Sequence, residues 1–379
     1  MEEPIYAVLA GRPAPSPGVG LAGGYLADLV FGDPRRLHPV AGFGLLAHRA
    51  EHALYRPTRA RGIAHTALLV GSAAATAGLT PRTADWLAAR LPAVRRPAVR
   101  RPTGRGPAGH PAVRRPAGRL PAGPRPRRIG LARPIVLSMI TWIALGGRSL
   151  ATVAGRLADQ LEAGELDAAR ATLPSLCGRD PHALDSAELA RAGLESVAEN
   201  TSDAVVGALL WAAVAGPAGV AAYRAANTLD AIVGHRTDRY RDFGWAAARL
   251  DDLLNWPAAR LSAILTAVCA PLVGGSPRTT WATAGRDGPS HPSPNAGRVE
   301  AAFAGALGVR LGGRLTYAGV VELRPQLGRG HAPTVADLRR AIRLSRAVGA
   351  AAAVFCAAAR PLVRAGLPTL RPATTTAAR

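Results

Sequence analysis

The stretch "ESVAENTSDAVVGALLW" at residues 195–211 places three acids directly before a long uncharged run. Glu195, Glu199 and Asp203 recur every four residues, so on a helix they form one stripe, and residues 204–222 carry no charge at all. Because like charges at this spacing repel one another, the stripe needs a positive partner. That partner can be an internal Arg, a bound divalent cation or bulk water.

Three further uncharged runs approach the length of a membrane span. They are residues 62–81, apart from His65, residues 134–147 and residues 261–277, whereas a helical span needs about 20 apolar residues. Their Ala- and Gly-rich composition and the mean hydropathy of +0.09 also leave open the buried helices of a soluble protein. Strand signals are scarce. We predict an all-α fold, a polytopic helical bundle in the cell (cytoplasmic) membrane whose polar helical segments and loops carry the site.

The basic excess does not indicate a nucleic-acid-binding protein. The formal charge is +22, but every basic residue is an Arg, and thirteen of them lie between Arg90 and Arg133, where there is no acid. Aromatic residues, which stack on bases, make up only 4%. We therefore expect no nucleic acid among the partners. The absence of Lys excludes a Walker-type loop and a Schiff-base enzyme, and three separate cysteines without a CxxC support neither disulfides nor a zinc site.

Composition divides the chain into five segments. Residues 1–90 are expected to hold N-terminal membrane helices and the "GDP" and "HPV" turn, residues 129–330 the membrane and catalytic core, and residues 331–367 C-terminal helices. The Arg- and Pro-rich insertion at 91–128 cannot form a helix because proline removes backbone donors every few residues. We predict that this insertion and the polar tail at 368–379 are disordered.

Two short motif matches are weak. "HRAEH" at 48–52 offers two histidines one turn apart but no third zinc ligand, and "GVGLAG" at 18–23 follows no convincing strand. We interpret the first as an exposed helix and predict no site at either position.

Other clusters place acids and Asn beside apolar runs. In "GYLADLVFGDPRRLHPV" at 24–40, Asp28 lies in an apolar helix, and Asp33 and His38 lie in the following turn, where capping of helix amides is the alternative to a ligand role. In "YRAANTLDAIVGHRTDRYRDFGWAAARLDDLLNWPAARL" at 223–261, two helical faces are polar. One face holds Tyr223, Asn227 and Asp230, the other holds Asp251, Asp252 and Asn255, and Arg224 and Arg260 are close in sequence.

With these residues the sequence resembles the CobD/CbiB family of cobalamin biosynthesis, the adenosylcobinamide-phosphate synthases. The resemblance rests on "DLVFGDPRRLHPV", on "ESVAENTSDAVVGALLW", on the segment 223–261 and on "SPNAGRVEAAFAGALGVRLGGRLTYAG", in the family's order over residues 21 to about 328. The chain departs from the family in its insertion at 91–128. It also has Arg298 and Val299 where the family pattern resembles "NAGWPEAA".

The resemblance implies an integral membrane enzyme that uses ATP to join an aminoalcohol phosphate to a propionate of adenosylcobyric acid, giving adenosylcobinamide phosphate. The amine would be aminopropanol phosphate or ethanolamine phosphate. Membrane lipid is a further expected partner, as is a complex with other cobalamin-assembly membrane proteins. The alternative function is a membrane transporter or sensor with intramembrane carboxylates. The acid clusters show no repeated pattern of the kind that many transporters have.

For an ATP-dependent ligase, the residue types suggest roles. Hard oxygen ligands suit Mg²⁺, and Arg side chains suit phosphate. We assign the metal to Glu195, Glu199, Asn200 and Asp203. The predicted cofactor-binding residues are Arg224, Arg260, Asp33, His38, Asn295 and Glu300. The predicted catalytic residues are Asp251, Asp252, Asn255, Asn227 and Asp230, of which Asp251 and Asp252 would hold a second ion or accept the ammonium proton.

The Arg-rich insertion also predicts a topology. Loops rich in Arg stay in the cytoplasm, and acids that hold the metal of ATP must open to the same side. The run 134–147 has only fourteen residues, so we predict that it is re-entrant or buried between helices.

Overall fold

The computed structural model describes residues 18–34, 38–90, 132–235, 237–317 and 320–366. The insertion at 91–128 and the tail at 368–379, both predicted to be disordered, lie outside the described residues. The described residues form α-helices α1 (Val19–Phe31), α2 (Pro39–Leu54), α3 (Arg59–Arg90), α4 (Ala132–Ala144), α5 (Gly147–Glu162), α6 (Leu166–Thr172), α7 (Ser186–Thr201), α8 (Gly207–Val233), α9 (Trp245–Cys269), α10 (Pro277–Asp287), α11 (Ala296–Leu307) and α12 (Val335–Gly366), and strands β1 (Leu311–Tyr317) and β2 (Val320–Leu327).

Five helical stretches in the described part of the chain are long and apolar enough to cross a membrane. They are Arg59–Pro81, Ala132–Glu162, Ser186–Val233, Trp245–Val273 and Val335–Val363. The apolar helix α1 is shorter, at 13 residues. The predicted all-α, polytopic fold is confirmed.

Capping residues set the start of α7, the helix that carries the acid stripe. The Asp185 side chain accepts from the Glu188 N–H at 2.8 Å, and the Glu188 side chain accepts from the Asp185 N–H at 3.1 Å. This capping box satisfies two amides that the first turn of a helix leaves without partners. It sets the register in which Glu195 and Glu199 follow.

The uncharged run 204–222 is folded back on itself rather than straight. Gly216 has φ 65° and ψ −147°, a conformation open to glycine, and Pro217 follows it. The Tyr223 hydroxyl donates to the Asp203 carbonyl oxygen at 2.9 Å. In a continuous helix, residues this far apart in sequence would be separated by about 30 Å. Helix α8 is therefore a helical hairpin with its tip at Gly216.

A buried arginine on α12 binds near the tip of this hairpin. The Arg360 guanidinium donates to the carbonyl oxygens of Ala212 and Ala213. These two carbonyl oxygens belong to the last helical turn before Gly216. Because the helix stops there, no later N–H group of the same helix donates to them. Lower down, Thr201 donates to Ser345 of the same helix at 2.6 Å. Helix α12 thus runs parallel to α7 and to the first arm of the hairpin.

A π-helical turn at Ser202–Val206 separates α7 from α8. Such a turn holds more residues than an α-helical turn and is frequent at functional sites. It contains Asp203. The side chain of Asp203 therefore does not follow Glu199 at the angle expected from a uniform α-helix, on which the predicted stripe was based. We refer to Ser202–Val206 as the π-turn.

The run 134–147 forms α4 and the break that precedes α5. Helix α4 packs against α1, α3 and α8, with Leu137 and Thr141 buried and Ile135 and Met139 exposed. Together with α5 it forms the candidate span Ala132–Glu162, so the predicted re-entrant or buried placement stays a prediction. The depth of α4 in a membrane stays a prediction.

One antiparallel β-hairpin departs from the helical pattern. Strands β1 and β2 pair with an irregularity between Leu311 and Gly313. Gly312 and Gly313 have φ values of 79° and 88°, a region that favours glycine. Because glycine replaces the alternating apolar residues that identify a strand, the sequence did not predict this hairpin.

Candidate functional site

The acid stripe has an internal arginine as its first positive partner. Arg179, which precedes α7, forms an ion pair with Glu195 Oε2, and both side chains are buried. The Gly312 N–H donates to Glu195 Oε1 at 2.7 Å. Both oxygens therefore have donors, and Glu195 ties α7 to the β-hairpin. This arrangement favours a positioning role for Glu195 over the predicted role as a metal ligand.

Four other acids come together where α7, the π-turn, α8 and α9 meet. Glu199 interacts electrostatically with Asp251, Asp203 with Glu199, Asp251 and Asp230, and Asp230 with Glu199. Glu199 is exposed, and the other three are half-buried. We call Glu199, Asp203, Asp230 and Asp251 the acidic cluster. Several carboxylates that face one another, open to solvent, are a common basis for cation and phosphate chemistry.

Asp251 is held in place from both neighbouring helices. Asn255 Nδ2 donates to it at 2.9 Å, and Asn227 Nδ2 donates at 3.3 Å. The Tyr223 hydroxyl in turn lies 2.7 Å from Asn255 Oδ1, so its single proton is shared between this oxygen and the Asp203 carbonyl oxygen, and Tyr223 is fully buried. The two polar faces predicted on α8 and α9 therefore meet in one hydrogen-bonded network. Its amides orient the Asp251 carboxylate without supplying an opposite charge.

Asp252 lies at the edge of this network rather than within it. Its carboxylate contacts Arg249 at 3.4 Å, and its backbone carbonyl accepts from Asn295 Nδ2 at 2.8 Å. Arg260 donates to the other side of that amide, at 2.8 Å from Asn295 Oδ1. The structure thus brings Asn295 and Arg260, two of the predicted cofactor-binding residues, into direct contact.

Arginines surround the acidic cluster. Arg224 donates to Asn227 Oδ1 at 3.1 Å and interacts electrostatically with Asp203. Arg324 of β2 and Arg179 interact electrostatically with Glu199. These guanidinium groups approach from α8, from β2 and from the segment before α7. The arrangement can hold a polyanion at the edge of the cluster, next to the acids that would bind its cation.

Glu300 of α11 lies buried beside the acid stripe. Burial, with the charges of Glu195 and Glu199, raises the pKa of the Glu300 carboxyl. A neutral carboxyl can donate a hydrogen bond where another carboxylate would repel its neighbours. Nearby, burial and Arg324 lower the pKa of His291, whose Nε2 lies 3.4 Å from Arg324 Nη1. Both shifts favour the neutral form of the side chain beside charged neighbours.

Comparison with known proteins identifies the family. The sequence model described as CobD/Cbib protein matches residues 21–345. The chain belongs to the CobD/CbiB family. It is 48% identical over 338 residues to a protein named cobalamin biosynthesis protein CobD from Mycobacterium tuberculosis, covering 89% of this chain and 94% of the relative. A protein of the same name from Chromobacterium violaceum is 39% identical over 320 residues, covering 84% and 89%. No solved structure matches the chain.

Two predicted site residues of this CobD/CbiB family member lie away from the acidic cluster. His38 caps α2, since its Nδ1 accepts from the Val40 N–H at 3.1 Å. Asp33 follows α1 and interacts electrostatically with Asp28 rather than with the acidic cluster. His38 therefore caps a helix, which was the alternative to a ligand role in this turn. The cofactor-binding role predicted for Asp33 and His38 has no support from these contacts.

Within the described residues, no group of three or more His, Cys, Asp or Glu side chains is arranged to hold a metal ion. Asn200 directs its Nδ2 to Ser196 of its own helix at 3.0 Å. The donor chemistry of the acidic cluster nevertheless suits Mg²⁺, because its side chains offer carboxylate oxygens, and these lie on four elements, α7, the π-turn, α8 and α9. Glu199, Asp203 and Asp251 are the side chains that a cation could draw together.

Sequence reasoning missed Arg179, Arg324 and His291. Arg179 follows a helix in the polar segment "CGRDPH", and nothing local marks it as the partner of an acid sixteen residues away. Arg324 lies in a strand that was not predicted. A search for the positive partner that the stripe requires would have had to choose among 47 arginines.

Val299 is one of the two residues at which the chain departs from the family pattern "NAGWPEAA". It is fully buried, so it packs into the core.

Proposed function

We propose that this chain is an ATP-dependent amide ligase of cobalamin biosynthesis, an adenosylcobinamide-phosphate synthase. It would join aminopropanol phosphate or ethanolamine phosphate to a propionate of adenosylcobyric acid. Family membership and relatives named cobalamin biosynthesis protein CobD support the pathway. The observation that carries the ligase assignment is the acidic cluster, with carboxylates on four elements and arginines around them.

A carboxylate oxygen is a poor leaving group, so amide formation requires activation of the propionate. Magnesium-bound ATP would supply this by transferring a phosphoryl group to the carboxylate. Glu199 and Asp203 would hold the cation, and Arg224 would bind phosphate oxygens from the rim. The amine nitrogen then attacks the carbonyl carbon, the C–N bond forms, and the C–O bond to phosphate breaks.

The attacking nitrogen must lose protons, and the cluster offers a base. Asp251 is oriented by Asn227 and Asn255, which leaves it able to accept a proton from the ammonium group. Asp230 lies beside it and would keep the local potential negative. Arg260, fixed by Asn295, would bind the phosphate of the aminoalcohol on the same side. Glu195 and Arg179 would hold α7 in register.

The proposal predicts a product that can be weighed. Purified full-length chain, given adenosylcobyric acid, ATP, Mg²⁺ and both amine phosphates in competition, should yield adenosylcobinamide phosphate by mass spectrometry, with one ADP released per amide. Glu199→Gln and Asp203→Asn should lower turnover at limiting Mg²⁺ by at least about a hundredfold. Asp238→Asn, which removes an exposed acid that pairs with Arg241 in the same loop, is the matched control. Full turnover in both cluster variants would exclude these metal ligands.

A transporter is the second candidate, since the interrupted helix at Gly216 is a feature of many transporters. It predicts flux of a corrinoid into liposomes that contain the chain, without ATP or amine. Amide product without flux would remove it.

A further inference from the structure

A second polar pocket lies across the π-turn from the acidic cluster. It has a volume of about 410 Å³ between α1, α5 and α12, and Val205 of the π-turn forms part of its wall. Asp203, two residues earlier, interacts with the acidic cluster instead. The polar side chains that line the pocket are Tyr25, Asp28, Arg148, Thr152, Ser345 and Arg346. None of them belongs to the proposed ligase site.

Asp28 gives this pocket an unsatisfied acceptor. Its side chain is fully buried, and Oδ2 accepts from the Arg148 N–H at 3.2 Å. Oδ1 is equally buried, and no donor from the described residues reaches it. A buried carboxylate oxygen without a donor costs free energy. A ligand that brings an N–H group to Oδ1 would remove that cost.

The pocket also carries a surplus of positive charge. The Arg148 guanidinium lies at its edge, held by the carbonyl oxygens of Leu29 and Val30, and Arg346 enters from α12, close to Tyr25. The residues that line the pocket supply two guanidinium groups and one carboxylate, and Asp33 interacts with Asp28 from outside the lining, so a complementary ligand carries one cation and a stronger anion. A phosphate monoester has a charge of about −1.5 to −2 at neutral pH. An amino acid, with a single carboxylate, would leave one arginine uncompensated.

We propose that this pocket binds a small phosphorylated primary amine, with the ammonium group on Asp28 Oδ1 and the phosphate on Arg346 and Arg148. Two molecules share this chemistry, a soluble aminoalcohol phosphate and the headgroup of phosphatidylethanolamine. The pocket is separate from the acidic cluster and from Arg260, so for an aminoalcohol phosphate it is a second site, distinct from the one in the proposed ligase reaction. Its test needs neither ATP nor a corrinoid, and it can fail while amide synthesis succeeds.

Protection of an engineered thiol reports occupancy of this pocket alone. Cys177, Cys269 and Cys356 are replaced by Ser in the full chain, and Thr152→Cys places a thiol on the exposed wall of the pocket. In nanodiscs of phosphatidylcholine, O-phosphoethanolamine should slow labelling by a soluble maleimide about tenfold at saturation. Gly164→Cys, in an exposed turn outside the pocket, should label at an unchanged rate.

The two sources of the ligand give different results. Protection in phosphatidylethanolamine nanodiscs without added compound identifies the lipid headgroup, whereas protection only by O-phosphoethanolamine identifies the soluble compound. Absence of protection in both arms overturns the proposal.

Variants of the two charged groups test the binding mode. Asp28→Asn should raise the half-protecting concentration of O-phosphoethanolamine about tenfold and bring it close to that of inorganic phosphate, because the ammonium group loses its partner. Arg346→Gln, at an exposed position, should weaken protection by both compounds. Arg343→Gln, exposed on the same helix and outside the pocket, should leave protection unchanged. Undiminished protection in Asp28→Asn and Arg346→Gln would contradict the assigned contacts.

Discussion

The acidic cluster and the buried Glu51 show two opposite ways of placing carboxylates in one helical bundle. Glu51 on α2 is a single acid with several donors, since Arg239 donates to it at 3.0 Å, Tyr240 donates at 2.9 Å, and His48 lies 3.6 Å away. The acidic cluster brings four acids within electrostatic reach of one another, with amides as the direct hydrogen-bond donors to Asp251. The first arrangement is complete without a ligand, and the second is not.

This difference separates Glu51, a structural acid, from the acids of the proposed functional site. Burial alone would raise the pKa of Glu51, but hydrogen bonds from Arg239 and Tyr240 more than offset it, and the pKa is lowered. Arg239 also stacks over the Tyr55 ring at 4.1 Å from its centroid. Glu51 thereby fastens the segment between α8 and α9, whose two helices carry Asp230 and Asp251. The acids that remain mutually repulsive are those that a cation or a substrate would satisfy.

The largest effect is expected from Asp251→Asn, which removes the proposed base. Turnover should fall by about 10³-fold, while the melting temperature in detergent stays equal or rises, because a like-charge repulsion is relieved. Turnover by mass spectrometry and melting by intrinsic fluorescence, with Asp238→Asn alongside, measure the two changes. A large loss of thermal stability with normal turnover per folded molecule would place Asp251 with Glu51, among the structural acids.

Arg179→Gln tests the ion pair between Arg179 and Glu195, which shares features with both Glu51 and the acidic cluster. Glu195 is buried like Glu51, but it lies beside Glu199 and Glu300. Removing Arg179 takes the ion-pair partner from a buried carboxylate, to which the Gly312 amide still donates, so we expect a loss of about 3 kcal/mol in unfolding free energy. The double variant Arg179→Gln with Glu195→Gln should recover much of it, because no buried charge remains. A double variant no more stable than the single one would show that the pair acts through packing.

Glu51→Gln should produce the reverse of Asp251→Asn. Losing the charge weakens hydrogen bonds to Arg239 and Tyr240, and because Arg239 is half-exposed we expect only about 1–2 kcal/mol of lost stability. Turnover per folded molecule should stay within about threefold. Glu165→Gln, an exposed acid at the start of α6, is the control. A loss of turnover without a loss of stability would show that the segment between α8 and α9 positions the acidic cluster itself, rather than acting through the stability of the fold.

The sequence predicted which residues form the two regions better than it predicted how those residues are arranged. Asp251, Asn255, Asn227 and Tyr223 were found because acids and Asn beside apolar runs are unusual, and periodicity placed each set on one helical face. Their meeting depends on the turn at Gly216 and on the π-turn, and a local apolar pattern reads the same whether the helix continues or folds back. Glu51 was set aside with "HRAEH" as part of an exposed helix, although it is only 3% exposed. Its partners lie 188 and 189 residues away.

The smallest expected effect is a dependence of the Glu51 contribution on pH. Its pKa is lower in the folded chain than in the unfolded chain, where a Glu titrates near pH 4.3. The stabilisation is therefore fully present above that value and is lost as the pH falls through the folded-state pKa. The difference in melting temperature between the native chain and Glu51→Gln should be constant from about pH 6 to 8 and should shrink below about pH 4.3. A constant difference down to pH 3 would mean that the variant loses packing rather than charge, and the contrast between Glu51 and the acidic cluster would then rest on geometry alone.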